Sequence, residues 1–348
     1  MLLLDPASYT LPYDHHLASA LAAAGVDVEL VVCPFRFGDA PVPNGYERSE
    51  LFYPVSSRLF RRSRLRLPVK AIEHPLGLLR LRGKPHDLLH VQWAPLPQVD
   101  THLLPSRRPL VMTAHDVLPR RTAARRELWR GLYRRFRRIV VHSAHGRDRL
   151  VHELDVAPDR ITVIPHPVFP GSFRYEGSEP TLLFLGVIQP YKQLDQAIEL
   201  ARSVGARLLV VGDPVYDLGK RLFLPGVEWR LGYRSDAELD EALAESTLGL
   251  FPYREELDQS GALLRALGAG VPVAAYDVGG IAEPVRRFDA GVVAAPDDIE
   301  GLAAAVRGLL DDPVVLERAR AGARQAAAEL TWDAAAAAHL ALYRELVG

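Results

Sequence analysis

Lysine is scarce in this chain of 348 residues: four lysines, Lys70, Lys84, Lys192 and Lys220, stand against 38 arginines. Cysteine is scarcer still. The single Cys33 excludes an internal disulfide and fits a reducing compartment. Its place at the end of "VDVELVVC" reads as a core thiol. Charge imbalance is also missing: a net charge of −1 argues against a general nucleic-acid binder, so no nucleic-acid partner is expected. No apolar run approaches the roughly 18 residues of a membrane span. "MLLLDP" has neither the apolar length nor the basic flank of a signal peptide. A cytoplasmic location is expected, at most peripheral on the inner face of a membrane.

What is abundant is short apolar runs alternating with helical stretches. "MLLLD", "VDVELVVC", "DLLHVQW", "PLVMTAHD", "RIVVHS" and "RITVIPH" are the strand candidates of the first half. "TLLFLGV", "ARLLVVGD", "VEWRLGY", "TLGLFPY", "VPVAAYD" and "AGVVAA" are those of the second. Near-continuous apolar runs suit strands buried on both faces of a parallel sheet. Strand–helix alternation implies βαβ units with right-handed crossovers. The Pro-, Gly- and Ser-rich stretch "HPVFPGSFRYEGSEP" marks the break between two doubly wound α/β domains facing a cleft. In such sheets ligands sit beyond the carboxyl ends of the strands, so the strand-to-helix turns are the places to inspect.

Four turns stand out. "LLFLGVIQPYKQLDQAIEL" carries Gly186 and then Lys192 near the head of a helix. A helix N-terminus with a lysine beside it suits a phosphate. The turn holds neither G-x-x-x-x-G-K-[ST] nor G-x-G-x-x-G, which sets aside the nucleoside-triphosphate and dinucleotide loops. A solvated lysine is the plain alternative. "VMTAHDVLP" ends a strand on His115 and Asp116, where a histidine binds substrate, transfers a proton, or simply bonds a neighbouring loop. "FPYREELDQSGALLRALGAGVPVAAYDVGGIAE" brings Asp258, Gln259, Ser260 and Gly261 to a helix start and Glu283 to the next turn. That segment suits a polyhydroxylated ligand bearing phosphates. The fourth turn, "DPASYTLPYDHHLASALAAAG", leads to Tyr13 and Asp14. Such a loop could face the cleft, but loop packing is the plainer reading.

In order and spacing these stretches resemble the retaining glycosyltransferases of family GT4 (glycosyltransferase group 1), which have the GT-B fold. "TAHD" is similar to the histidine-bearing strand end, "LGVIQPYKQLDQAI" to the turn with the phosphate-binding lysine, and "PYREELDQSGALLRALGAGVPVAAYDVGGIAEPV" to the donor segment. "TWDAAAAAHLALYREL" resembles the final helix, which crosses back to the N-terminal domain. The resemblance implies an acceptor-binding Rossmann-like domain over 1–168, a nucleotide-sugar-binding one over 169–330, and a crossover helix over 331–348. It implies a nucleotide-sugar donor, a glycan or lipid-linked acceptor, and transfer with retention in cell-envelope or exopolysaccharide synthesis.

Residue roles come from the same resemblance. Lys192 would meet the diphosphate, and His115, with Asp116, would lie by the transferred sugar. Asp258, Gln259, Ser260 and Gly261 would lie by sugar hydroxyls and phosphates, and Gly232 and Tyr233 beside the base. Gly186 and Gly212 complete the donor-binding set. Tyr13, Asp14 and His15 would line the acceptor side or the diphosphate. No D-x-D pair stands at a strand end as metal-dependent transferases use one, so no essential metal or cofactor is expected.

The chain also departs from the pattern. The paired glutamates are replaced by "DQSG", with Glu255 and Glu256 nearby and Arg265 or Ala266 at the second position. Gln193 stands where a glycine often follows the lysine. A catalytically silent homologue that binds a nucleotide or scaffolds a partner, or a sugar-nucleotide epimerase, are the alternatives. Two basic clusters, "SRLFRRSRLRLPVK" and "RRTAARRELWRGLYRRFRR", suit contact with an anionic membrane or a solvated face.

Overall fold

The computed structural model describes residues 1–36, 38–58, 66–120, 122–177, 179–254 and 257–348. Half of the first basic cluster (59–65), Arg121 of the second, and both Glu255 and Glu256 lie outside the described residues. The chain divides into two compact units, Met1–Pro165 with Trp332–Gly348, and His166–Thr331.

The first unit is built on seven parallel strands: β1 (Leu2–Asp5), β2 (Glu29–Val32), β3 (Glu47–Glu50), β4 (Leu89–Val91), β5 (Leu110–Thr113), β6 (Arg138–Val141) and β7 (Ile161–Val163). Their order across the sheet is β3-β2-β1-β4-β5-β6-β7. Leu3, Leu4, Val31, Leu89, Val111, Ile139 and Val140 are completely buried, because helices cover both faces. β3 was not expected. Its sequence, "ERSE", is polar and sits at the sheet edge, where charge blunts pairing with other chains and no apolar run announces a strand.

Helix α1 (Leu11–Ala23) carries Pro12 in its first turn, where the ring is tolerated, and buries Leu11, Leu17, Ala18 and Leu21. Helices α2 (Pro54–Arg58), α3 (Arg66–Leu81), α4 (Pro97–Leu103), α5 (Arg126–Tyr133) and α6 (Ala144–Leu154) follow. In α5 the apolar residues of the second basic cluster, Trp129, Leu132 and Tyr133, turn into the core. Its arginines pair within the unit, Arg126 with Glu153 at 3.1 Å and Arg130 with Asp155 at 2.8 Å.

The second unit has six parallel strands: β8 (Thr181–Leu185), β9 (Arg207–Gly212), β10 (Val227–Leu231), β11 (Leu248–Phe251), β12 (Val273–Tyr276) and β13 (Gly291–Ala294). Their order is β10-β9-β8-β11-β12-β13. The helices are α7 (Leu194–Ser203), α8 (Asp236–Ala244), α9 (Gly261–Gly268), α10 (Ala282–Arg287), α11 (Ile299–Asp311) and α12 (Pro313–Glu329). The chain then returns to the first unit as α13 (Trp332–Val347). There Trp332 meets Tyr13 edge-on at 5.0 Å, and Tyr343 Oη bonds His90 Nδ1 at 2.6 Å. No helix among the described residues is long and apolar enough to cross a membrane.

In each unit the strand order reverses once, between β1 and β4 and between β8 and β11. Loops leaving neighbouring strands in opposite directions open a crevice at such a switch point.

Candidate functional site

The second unit's switch point is flanked by the loops after β8 and β11. The first runs through Gly186, at φ 98°, to a 3₁₀ turn, Pro190–Lys192. Glycine is needed here and at Gly212. A Cβ on Gly212 would stand 2.0 Å from the Gly186 carbonyl oxygen, and Gly212 itself has φ 145°. Lys192 is buried at the end of its turn, and Nζ donates to the Leu185 carbonyl at 3.3 Å. A Cβ on Gly186 would lie 3.0 Å from Nζ and 3.5 Å from Ala262 Cβ. The ammonium therefore sits beside the glycine turn and the first turn of α9. It also lies 5.2 Å from the centre of the Tyr253 ring.

Ser260 caps α9, accepting from the Leu263 N–H at 3.4 Å, and its hydroxyl is 3.4 Å from Tyr253 Oη. Asp258 is buried just ahead of the cap. Gln259 Nε2 donates to the Gly280 carbonyl at 2.9 Å, which ties the loop after β11 to the turn after β12. A buried cation and a helix N-terminus on one glycine turn are an arrangement that suits an anion. Gly232, at φ 102°, follows β10, and its N–H donates to the Gly212 carbonyl at 3.0 Å. Tyr233 follows it, half exposed. Arg265, where a second carboxylate was sought, pairs with Asp236 at 2.8 Å and stacks on Phe169.

The first unit gathers its polar groups beyond β1, β4, β5 and β6. His115 Nε2 is 2.8 Å from Gln92 Oε1, and Nδ1 is 3.2 Å from His142 Nε2. His142 Nδ1 faces the Ile164 carbonyl at 2.9 Å. A carbonyl only accepts, so His142 carries its proton on Nδ1 and offers Nε2 to the His115 Nδ1–H. His115 Nε2 then meets a carboxamide. Its oxygen accepts from a protonated ring, and its amino group, after a flip, donates to a neutral one.

Trp93 stacks on His115, centroids 5.9 Å apart and planes 17° apart, and Tyr13 meets the same ring edge-on at 4.7 Å. Asp116 is half-buried beside His115. Burial pushes the Tyr13 phenol well above its ordinary range, with Asp14 adding to the effect. Asp14 is itself fully buried. Burial first, then the neighbouring Asp5 carboxylate, raise its pKa well above the ordinary value. Asp5 accepts from the Ala7 and Thr10 N–H groups at 3.1 and 3.0 Å, and Thr10 Oγ1 reaches Asp14 Oδ2 at 3.3 Å. The pair fastens the loop between β1 and α1. His15 Nδ1 bonds Tyr46 Oη at 2.9 Å.

Residues 13–170 match the family described as Glycosyltransferase Family 4, and residues 179–312 match Glycosyl transferases group 1. This chain belongs to the family 4, group 1 glycosyltransferases. An exopolysaccharide phosphotransferase of Streptomyces coelicolor is 27% identical over 87% of this glycosyltransferase and 36% of its own length. A 2-deoxystreptamine glucosyltransferase of Streptomyces kanamyceticus is 32% identical over 56% of this chain and 53% of its own. The chain thus spans about half, or less, of the curated relatives it matches first. Sucrose-phosphate synthase from Thermosynechococcus elongatus superposes with a TM-score of 0.77 at 19% identity, covering 96% of this chain and 92% of that one. Anabaena HepE in complex with UDP and glucose gives 0.73 at 15% identity, covering 99% of both chains. With both sheets parallel, these likenesses show the GT-B fold.

The structure brings the donor-side residues named from sequence to one edge of the second sheet of this glycosyltransferase, and His115, Tyr13 and His15 to one edge of the first. Sequence reasoning passed over Gln92, Trp93, His142 and Tyr253. The first three end "DLLHVQW" and "RIVVHS", strands that were recognised. Inspecting every strand's carboxyl end would have found them.

Proposed function

We propose that this glycosyltransferase moves a sugar from a nucleoside-diphosphate sugar to an acceptor hydroxyl with retention of configuration, in the synthesis of a cell-envelope or exopolysaccharide glycan. The observation that carries the reading is Lys192. Its ammonium is buried against the Gly186 turn, next to the first turn of α9 and at the switch point of the second sheet. In this reading the bond from the sugar's anomeric carbon to the diphosphate breaks as the acceptor oxygen bonds that carbon, and the acceptor proton passes to the leaving phosphate. Charge then grows on the diphosphate, where Lys192 and the α9 N–H groups favour the transition state more than the ground state. His115 is assigned to the transferred sugar, Asp258 and Gln259 to its hydroxyls, and Tyr233 to the base. No metal is assigned a role.

HepE, the structural relative solved with UDP and glucose, supports a UDP-sugar as the donor to try first. The family membership, with exopolysaccharide and glucosyltransferase names among its relatives, supports the pathway class. An anionic membrane is proposed as a peripheral partner, because α3 leaves Leu67, Ile72, Leu76 and Leu79 exposed beside Arg66 and Lys70.

The test is turnover of a panel of UDP-, GDP- and ADP-sugars with EDTA present, followed by proton NMR of the glycoside. The account expects one base class to be consumed and an anomeric coupling matching the donor's. An inverted product, or no consumption of any donor by a folded protein, would contradict it.

A further inference from the structure

Gln92 turns its two ends to two different histidines. Its oxygen faces His115 Nε2 at 2.8 Å, and its amino group faces His90 Nε2 at 3.3 Å. His90 lies within β4 and is completely buried, whereas Gln92 and His115 follow β4 and β5. An amino group only donates, so His90 Nε2 is bare and the ring carries its proton on Nδ1. There the Tyr343 hydroxyl oxygen on α13, 2.6 Å away, accepts it. The buried Thr113 hydroxyl, 2.8 Å from Nε2, donates to the bare nitrogen. Burial keeps His90 neutral by lowering its pKa well below the ordinary value, and His339 and His142 add to the effect.

The same counting on the other side of Gln92 gives a charge. A carboxamide oxygen only accepts, so His115 Nε2 carries a proton. The Ile164 carbonyl requires one on His142 Nδ1. A third lies in the contact between His115 Nδ1 and His142 Nε2, 3.2 Å apart. Two neutral imidazoles hold one proton each, so the pair holds one more and is a cation. The surroundings suit it. The Trp93 indole stacks on the His115 ring with planes 17° apart, and Trp93 Nε1 is fixed by donating to Thr10 Oγ1 at 3.0 Å. Asp116 adjoins His115 in the chain and is half-buried. From α1, Tyr13 meets the two rings at 4.7 and 5.4 Å, with its phenol kept neutral by burial and Asp14 next to it.

We propose that Tyr343 and His90 are positioning residues for His115: by fixing which way the Gln92 carboxamide points, they keep the His115–His142 pair protonated at neutral pH. Without the Tyr343 oxygen, the His90 Nδ1–H has lost its acceptor. Its proton then stands on Nε2, where the Thr113 oxygen and a turned Gln92 oxygen accept it. The Gln92 amino group now donates to His115 Nε2, and a donor there expels the extra proton. The helix that returns to the first unit thus sets the charge at the carboxyl end of β5. The charge does not depend on the transferase reading, but its use does. In that reading a fixed cation beside the transferred sugar favours the negative charge that grows as the diphosphate leaves.

The test is nitrogen NMR of the full chain labelled at histidine, at neutral pH, where the imidazolium and each neutral tautomer have distinct signatures. In the parent chain, His90 should carry its proton on Nδ1 alone, and His115 and His142 should together show three protonated nitrogens. In Tyr343→Phe the charged form of the pair should fall by roughly tenfold or more, one pKa unit. Adding Gln92→Glu to that variant should restore it, because a carboxylate accepts whichever way it turns; a merely structural loss would stay. The parent spectrum tests the proposal even where a variant does not fold. A neutral pair or an Nε2-protonated His90 in the parent overturns it. So does a charge that a folded Tyr343→Phe keeps, or a loss that Gln92→Glu does not restore. Turnover is read separately: loss and rescue of the charge in a protein that consumes no nucleotide sugar would contradict the transferase reading and leave this one standing.

Discussion

Lys192 is where this arginine-rich chain needs a lysine. Its Nζ fits within about a bond-and-a-half of hydrogen-bonding space, 3.3 Å from one carbonyl and 3.0 Å from where a glycine's Cβ would stand. A planar guanidinium would push the Gly186 turn aside, whereas a compact ammonium acts there as a point charge. The residue after it is less comfortable. Gln193 has φ 57° and ψ 51°, a left-handed conformation that costs a side-chain-bearing residue free energy and a glycine almost none. Replacing Gln193 with Gly should therefore raise stability by about 1 kcal/mol, less the entropy that glycine adds to the unfolded chain. Urea melts would show this as a higher midpoint at constant slope; a lower midpoint would mean that the Gln193 side chain contributes more than the strain costs. The sequence pointed to the oddity of Gln193 only as a departure from a family pattern. Its backbone angle supplies the physical reason.

At the scale of elements, the strands of both sheets were legible because strands covered on two faces read as apolar runs. β3 was hidden for the opposite reason, as a charged edge. The partners of His115 were hidden for a different cause. Gln92, His115 and His142 are far apart in the chain and meet only because β4, β5 and β6 are adjacent. No spacing rule reports that adjacency. α13 shows what an element's buried polar group costs. His339 is fully buried with Nδ1 bonded to the Ala335 carbonyl at 2.8 Å, and burial holds its pKa down at about 4. The unfolded chain, with an ordinary value of 6.5, binds the proton first. Stability from His339 is therefore complete above that value and is lost as pH falls toward 4, by about 2 kcal/mol between pH 7 and pH 5. Urea midpoints at the two pH values should fall less steeply in His339→Leu than in the parent chain. Equal slopes would show that the imidazole reaches solvent or a proton acceptor in the folded state.

At the scale of the whole molecule, each unit places part of its candidate set at the one point where its strand order reverses and the rest at the carboxyl ends of neighbouring strands, and that is a property of topology more than of any motif. Lys192, Gly186 and Ser260 flank the reversal between β8 and β11; Tyr13, Gln92 and Trp93 flank that between β1 and β4. Sequence patterning was enough to reach two doubly wound α/β domains, and the resemblance of the motif stretches reached the GT-B fold and the family. The contacts around each site needed the sheet order. The central claim is that Lys192 binds the diphosphate of a nucleotide donor. Removing one preorganised contact of this kind typically costs about 10²–10³ in rate, but binding tests it more directly. The measurement is thermal unfolding of the parent chain and of Lys192→Ala, each with and without UDP. At about 100 times its dissociation constant UDP should add roughly 2.7 kcal/mol, a rise of several degrees. The account predicts that rise in the parent chain and less than half of it in the variant. An equal rise in both, or none in either folded protein, would contradict it.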